Sequence, residues 1–182
     1  MSLFFRTSPS FETLAAQAEG QVYKTCYHMM GNAEDAADCA QEAMLRAYRA
    51  FPSFRRDAEF FTWITRIALN VCTDALRKRR NVVSLDALRQ EQGFDPPDEG
   101  KSAYVQLEEK ERLLLLRQAL AQLPEDARQL IVLRDFRSMS YEEIAAVTGA
   151  PLGTVKSRIS RAREKLSQLL KKSSELFSSP SV

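Results

Sequence analysis

Apolar residues recur at three- and four-residue spacing along most of the chain, and glycine or proline falls where each run stops. Phe11, Leu14, Ala15, Ala18, Val22, Cys26, Met29 and Met30 form one helical stripe, and Gly31 is placed to end it. Asn32 can cap a second helix that has Glu34 and Asp35 in its first turn. Its stripe is Ala36, Ala40, Met44, Ala47, Tyr48 and Phe51, and Pro52 terminates it. After a short loop, Ser53 to Asp57, a third helix is expected to bury Phe61, Ile64, Ala68, Val71 or Cys72, and Ala75. Six glycines and seven prolines in 182 residues are too few for a β-rich or fibrous chain. The expected fold is all-α.

The helical pattern fails over residues 81–103, which contain Gly93, Pro96, Pro97 and Gly100. This segment reads as a linker, partly disordered when free. Helix resumes near Tyr104, and Leu123-Pro124 breaks it, with Pro124 suited to a first helical position. Ala127, Leu130, Ile131 and Leu133 line the next helix, whose polar end begins at Arg134. Ser140-Tyr141-Glu142-Glu143 is a capping box, Gly149 closes the short helix after it, and Pro151 opens a last helix with Leu152, Val155, Ile159, Ala162, Leu166 and Leu169 inward. The serine-rich tail from Ser173 to Val182 is expected to fray. Two small helical domains are therefore expected, residues 10–80 and 105–172, joined by a flexible acidic linker, 81–104, and followed by a tail, 173–182. No internal repeat is visible.

Composition narrows the function. No window approaches the roughly 18 uncharged apolar residues of a membrane span, so no membrane insertion is expected. Residues 1–10 lack a basic region followed by an apolar core, so no cleaved secretion signal is expected either. Three cysteines without CxxC spacing argue against a disulfide scaffold or a cysteine-rich zinc site, and point to free thiols in a reducing cytoplasm. A single histidine, His28, excludes a multi-histidine metal site. No metal, cofactor or catalytic residue is expected.

The net charge of +2 hides an asymmetry. Residues 81–111 carry three basic side chains against eight acidic ones, whereas residues 151–172 carry seven basic against Glu164 alone. Arg77-Lys78-Arg79-Arg80 adds a second basic run, which also suits an ordinary helix C-terminus. Two basic zones flanking an acidic middle suggest two modules that each meet a polyanion. In the second, the short helix, glycine turn and last helix form a helix-turn-helix. With Val155, Ile159, Ala162 and Leu166 inward, the opposite stripe is Thr154, Lys156, Ser157, Arg158, Arg161 and Lys165, all donors to phosphate or base edges. The N-terminal half of such a helix faces the bases, so Lys156, Ser157, Arg158 and Arg161 are the reading set, with Arg163 and Lys165 on phosphates. The plain alternative is an amphipathic helix packed only on its own domain.

In the first module, Asp38, Glu42 and Arg46 follow one another at i, i+4, with Gln41 and Arg49 beside them. This is either simple intrahelical pairing or a polar docking surface. Phe54-Arg55-Arg56 and Phe60-Phe61-Thr62-Trp63 surround the start of the third helix, and Trp63 shares a face with Arg66, Asn70 and Thr73. Aromatic surfaces with cations suit unstacked bases, at roughly 1–3 kcal/mol per base. Alternatively Phe54, Phe60 and Trp63 fill a core seam left by the first helix.

Three segments carry a family resemblance: NAEDAADCAQEAMLRAYRAF from Asn32, FRRDAEFFTWITRIALN from Phe54, and Leu123 to Leu166 through SYEEIAAVTGAPLGTVKSRISRAREKL. Together, in this order, they resemble the extracytoplasmic-function sigma factors, promoter-specificity subunits of bacterial RNA polymerase. The resemblance implies that Asp38, Gln41, Glu42 and Arg46 grip the polymerase clamp coiled coil. It implies that Arg55, Arg56, Phe60, Phe61, Trp63, Arg66, Asn70 and Asp74 belong to the surface that captures the minus-ten element as a single strand. The last helix would read the duplex minus-thirty-five element. The acidic linker would thread toward the active-site and RNA-exit channels, and an anti-sigma factor would hold the protein inactive. Free protein would bind DNA weakly until polymerase separates the domains. Two departures bear on promoter choice. Asp74 stands where an amide is expected, and Trp63 is followed by Ile64 rather than a second tryptophan, which implies less ready melting.

A free-standing operator-binding regulator would explain the helix-turn-helix, though not Trp63 or the Asp38–Arg46 face. A nucleic-acid enzyme would lack machinery, with one histidine and no carboxylate cluster at metal-ligand spacing.

Overall fold

The computed structural model describes residues 9–54, 59–82 and 103–178. All regular structure among them is helical: α1 Phe11–Met30, α2 Ala33–Ala50, α3 Phe60–Val82, α4 Ala103–Gln122, α5 Glu125–Ile131, α6 Tyr141–Thr148 and α7 Leu152–Ser178. A 3₁₀ turn, Phe51–Ser53, follows α2, and a π-helical stretch, Val132–Phe136, follows α5. No described helix is long and apolar enough to cross a membrane. The expected linker falls mostly in residues 83–102, outside the described residues.

The helix ends are set by the expected local chemistry. Gly31 adopts φ 83° and its N–H returns to the Tyr27 carbonyl, closing α1. The Asn32 side chain accepts from the Asp35 N–H at 2.9 Å, starting α2. The capping box of α6 is complete: the Glu143 N–H donates to Ser140 Oγ at 3.1 Å, and the Ser140 N–H to Glu143 Oε2 at 2.6 Å. Gly149, at φ 70°, makes the turn between α6 and α7.

Four readings, of the helix bounds and of the α2 stripe, need correction. Pro124 is the N-cap of α5 rather than its first helical residue. The chain does not stay α-helical up to Arg134: it widens into the π stretch, where the Arg137 N–H reaches back to the Val132 carbonyl at 3.0 Å. The wider turn precedes Ser138, which takes a left-handed φ of 53° without being glycine. Residues 173–178, read as fraying tail, continue α7. The buried stripe of α2 is also rotated, running through Ala36, Cys39, Ala43 and Ala47, while Tyr48 is 59% exposed. Small residues win that face because α1 and α3 both pack against α2, leaving Tyr48 to stand edge-on to Phe11.

Helices α1–α3 form a first module, and α4–α7 a second. The two share one core. A continuous apolar cluster runs from Val22, Met29 and Ile64 to Leu130, Leu133, Ile144 and Val155, and a smaller one joins Leu120, Leu123, Ile131 and Ala162. Polar side chains also cross the junction. Arg128 donates to the Met29 carbonyl at 2.7 Å, and Gln129 to Thr73 Oγ1 at 2.5 Å. Arg137 pairs with Gln21.

Candidate nucleic-acid interface

The donor stripe of α7 follows from helical period. Burial of Val155, Ile159 and Ala162 turns Lys156, Ser157, Arg158, Arg161 and Lys165 to the exposed side, with Thr154 at its edge. Ser157 Oγ bonds the Thr154 carbonyl at 3.0 Å, a contact a base edge could replace. Tyr141 of the α6 start lies between Arg134, 4.6 Å from its ring centroid, and Lys156, at 5.6 Å. This stacking holds Lys156 at the mouth of the turn. Arg163, read from sequence as a phosphate contact, instead forms a two-pronged ion pair with Asp135. That pair fastens α7 to the π stretch and raises the guanidinium's proton affinity further.

The aromatic surface of the first module splits in two. Phe60 is buried and fills the seam beside α1, 6.2 Å from the Phe11 ring. Phe61, expected in the core, is 36% exposed, so the core stripe of α3 begins one residue earlier. Trp63 is half-buried, 4.8 Å from Phe54 and 5.6 Å from Phe60 by ring centroid. One edge of its indole is thereby fixed by packing. Arg66 and Asn70 are exposed along the same helix, whereas Thr73, read on their face, is buried and bonded to Gln129. Arg55 and Arg56 lie outside the described residues.

Asp74 is placed by a partner the sequence did not suggest. Arg46 donates to Glu42 at 2.7 Å and to Asp74 at 3.4 Å, so α2 and α3 are joined on the outer face of the first module. The hydrogen bond that Arg46 donates to Glu42, then the one to Asp74, raise the proton affinity of the guanidinium further. Asp38 and Gln41 are exposed beside this pair.

The two surfaces converge where the modules meet. A cavity of about 370 Å³ is lined by Arg66, Leu69 and Asn70 of α3, by Gln129 and Val147, and by Arg158 of α7. A side chain at Gly149 would stand 3.2 Å from the Arg66 guanidinium. The residues that hold this arrangement, Arg128, Gln129 and Asp135, carry no signal in the sequence beyond ordinary polar helix positions. Among the described residues no cluster of potential metal ligands occurs.

An exposed basic helix in a capped helix-turn-helix, joined to a three-helix module with an aromatic and cationic face, defines a helical protein of two parts with the surfaces of a DNA binder. Known proteins match both parts. The family description Sigma-70 region 2 matches residues 14–82, and Sigma-70, region 4 matches residues 113–166. The RNA polymerase sigma-H factor of Pseudomonas aeruginosa is 37% identical over 169 residues, covering 88% of this chain and 86% of that protein. The ECF RNA polymerase sigma-E factor of Escherichia coli is 42% identical over 136 residues, 71% of each chain. Among solved structures, the sigma factor RpoE in complex with the anti-sigma factor NepR from Bartonella quintana superposes with a TM-score of 0.67 at 28% identity. The match covers 88% of this chain and 96% of that one. CnrH in complex with the cytosolic domain of CnrY gives 0.63 at 29%, over 89% and 88%.

The chain belongs to the sigma-70 family, as a sigma factor of the extracytoplasmic-function type. It is an alternative sigma factor, directing promoter-specific transcription initiation, and the free-standing operator regulator is not favoured.

Proposed function

We propose that the labour is divided between three faces. The α7 stripe, Thr154, Lys156, Ser157, Arg158, Arg161 and Lys165, reads the duplex minus-thirty-five element. The surface around Arg55, Arg56, Phe61, Trp63, Arg66, Asn70 and Asp74 holds the minus-ten element as a single strand, with Phe60 buried behind Trp63 as its support. Asp38, Gln41, Glu42 and Arg46 dock on core polymerase. The chain has no catalysis of its own: it selects the promoter by differential binding, in the cytoplasm.

The observation that carries this reading is the shared cavity. Asn70 and Arg158 line one space, yet they are assigned to elements whose names place them about 25 base pairs apart, about 85 Å at 3.4 Å per base pair. A compact chain of this length has a radius of gyration of about 16 Å, so the closed form cannot touch both at once. Among the described residues, Asp38, Gln41 and Arg46 of the docking face on α2 are exposed. Polymerase therefore engages the closed protein through α2, and promoter reading follows separation of the modules. The similar sigma factor RpoE of Bartonella quintana is held in complex with the anti-sigma factor NepR, and we extend such a partner to this chain as a clamp on the closed form.

Reconstituted transcription with core polymerase on a promoter library tests the reading. Start sites that share a minus-ten and a minus-thirty-five element at fixed spacing are expected. Failure to join core polymerase, with tight selective binding of duplex DNA by the isolated chain, would overturn it.

A further inference from the structure

All three cysteines of the chain meet in one place. Cys26 comes from α1, Cys39 from α2 and Cys72 from α3, all three buried within one apolar cluster where these helices pack on one another. The neighbouring positions of the same helices use alanine, at Ala18, Ala43 and Ala68, so the close packing does not require sulfur. Promoter reading uses no thiol. Cys26 and Cys72 are fully enclosed, while Cys39 keeps 6% of its surface exposed. It follows Asp38 directly, near the Asp35–Arg79 ion pair at 2.5 Å.

We propose that Cys39 and Cys72 are a peroxide-oxidisable dithiol, forming a reversible disulfide between α2 and α3. The Cys39 thiolate attacks one oxygen of hydrogen peroxide: an S–O bond forms, the O–O bond breaks, and the departing hydroxide takes up a proton as water. Cys39 is then a sulfenic acid. The Cys72 sulfur attacks the Cys39 sulfur, the S–S bond forms, the S–O bond breaks, and hydroxide leaves with the Cys72 proton as a second water. Two thiols are oxidised and one peroxide is reduced to two waters. An added dithiol reverses the bond by exchange.

The electrostatics agree with this division. The Cys72 hydrogen bond holds the Cys39 thiol below its usual range and the Arg79 charge assists, against burial and the nearby Asp35 and Asp38. Cys72, in contact with Cys26 and Cys39 and buried, is pushed well up and keeps its proton until Cys39 is oxidised. The bond would tie α2 beside Asp38 to α3 between Asn70 and Asp74. Its effect on polymerase rests on the roles proposed above for those helices; the thiol chemistry does not.

The test uses the full chain treated with hydrogen peroxide, its thiols counted by alkylation in denaturant. Three are expected before treatment, one after, and three again with dithiothreitol. Cleavage before Asp35 and Asp38 separates Cys26 from Cys39, so mass mapping of wild type is expected to find Cys39 joined to Cys72. Cys39→Ala is expected to keep both remaining thiols, and Cys72→Ala, which lacks the resolving thiol, to lose at most one, as a Cys39 sulfenic acid that dithiothreitol reduces. Persistence of all three wild-type thiols, loss that dithiothreitol does not restore, or equal loss in Cys72→Ala would overturn the proposal and leave three cysteines filling space as small apolar groups. Affinity for core polymerase is expected to differ at least threefold between oxidised and reduced wild type and not at all in Cys72→Ala. Equal wild-type affinities would overturn the regulatory consequence while leaving the dithiol in place.

Discussion

Arg128 of α5 reaches the Met29 carbonyl at the end of α1, 2.7 Å away and 99 residues distant in sequence. The same guanidinium donates to the Ala121 carbonyl at 2.7 Å. It is 6% exposed, and burial lowers its proton affinity. A buried charge left unpaired would be costly. Here the partners are carbonyls at helix ends, where the helix dipole favours a cation. One side chain thus closes the α4–α5 junction and pins the second module to the first.

Arg128→Ala removes the donor from the buried Met29 carbonyl and from the part-buried Ala121 carbonyl. Loss of folding stability of about 2–4 kcal/mol is expected, at about 1–3 kcal/mol for each unmet group less the relief of desolvation. Urea denaturation of the full chain measures it. A change below 0.5 kcal/mol, on the order of a neutral surface substitution, would show that solvent already reaches this junction.

Gln129→Ala separates closure from folding. It removes only the bond to Thr73, worth about 0.5–1.5 kcal/mol. If closure masks the reading surfaces, the free protein should bind minus-thirty-five duplex up to roughly tenfold more tightly, since 1.4 kcal/mol is a factor of ten. Fluorescence anisotropy of labelled duplex is the measurement, and unchanged affinity argues that closure is no barrier.

Arg158→Ala should cost about 1–3 kcal/mol at the minus-thirty-five element and relax base preference there, whereas Lys165→Ala should weaken all sequences evenly and reduce the salt slope by about one. Titrations at several salt concentrations separate base contact from phosphate contact. Equal preference for intact and scrambled elements before and after the Arg158 change would remove it from the reading set.

Trp63→Ala should leave duplex binding by holoenzyme intact and impair strand opening. Its packed edge against Phe54 and Phe60 fixes the indole, and a stacked base is worth roughly 1–3 kcal/mol. Permanganate reactivity of the minus-ten thymines reports it. Wild-type reactivity in the variant would place the stacking surface elsewhere.

The capping box of α6 carries a pH dependence. The Ser140 backbone N–H, then its hydroxyl, hold the Glu143 carboxyl below the ordinary 4.5. The folded state therefore prefers the carboxylate. Its contribution is present above about pH 4.5 and is lost as acid protonates Glu143 below it. Glu143→Gln should flatten the fall of melting temperature between pH 5 and pH 3, and Ser140→Ala should cost about 0.5–2 kcal/mol at pH 7. An unaltered acid limb in Glu143→Gln would mean that other carboxylates govern it.

The residues that were readable from sequence are those whose effect is local. Gly31, Asn32, Ser140, Glu143 and Gly149 act on backbone within four residues, and each does so in the structure. The α7 stripe was readable because burial of Val155 and Ile159 fixes its opposite face. The one-position error between Phe60 and Phe61, and the rotated stripe of α2, arose where a helix packs on two neighbours and apolar residues occur on several sides. The junction was not readable at all. Arg128, Gln129 and Arg137 look like surface residues, and only tertiary contact gives them partners. The pairing of Arg46 with Asp74 was hidden for the same reason: it joins two helices, not two turns of one.

The core that the modules hold in common has a consequence for the lifetime of the molecule. Parting them in solution would bare Leu69, Leu130 and Val147 to water at once. An open molecule without polymerase would then be prone to self-association and an easy substrate for proteases, so that enzyme capture and survival of the factor become linked.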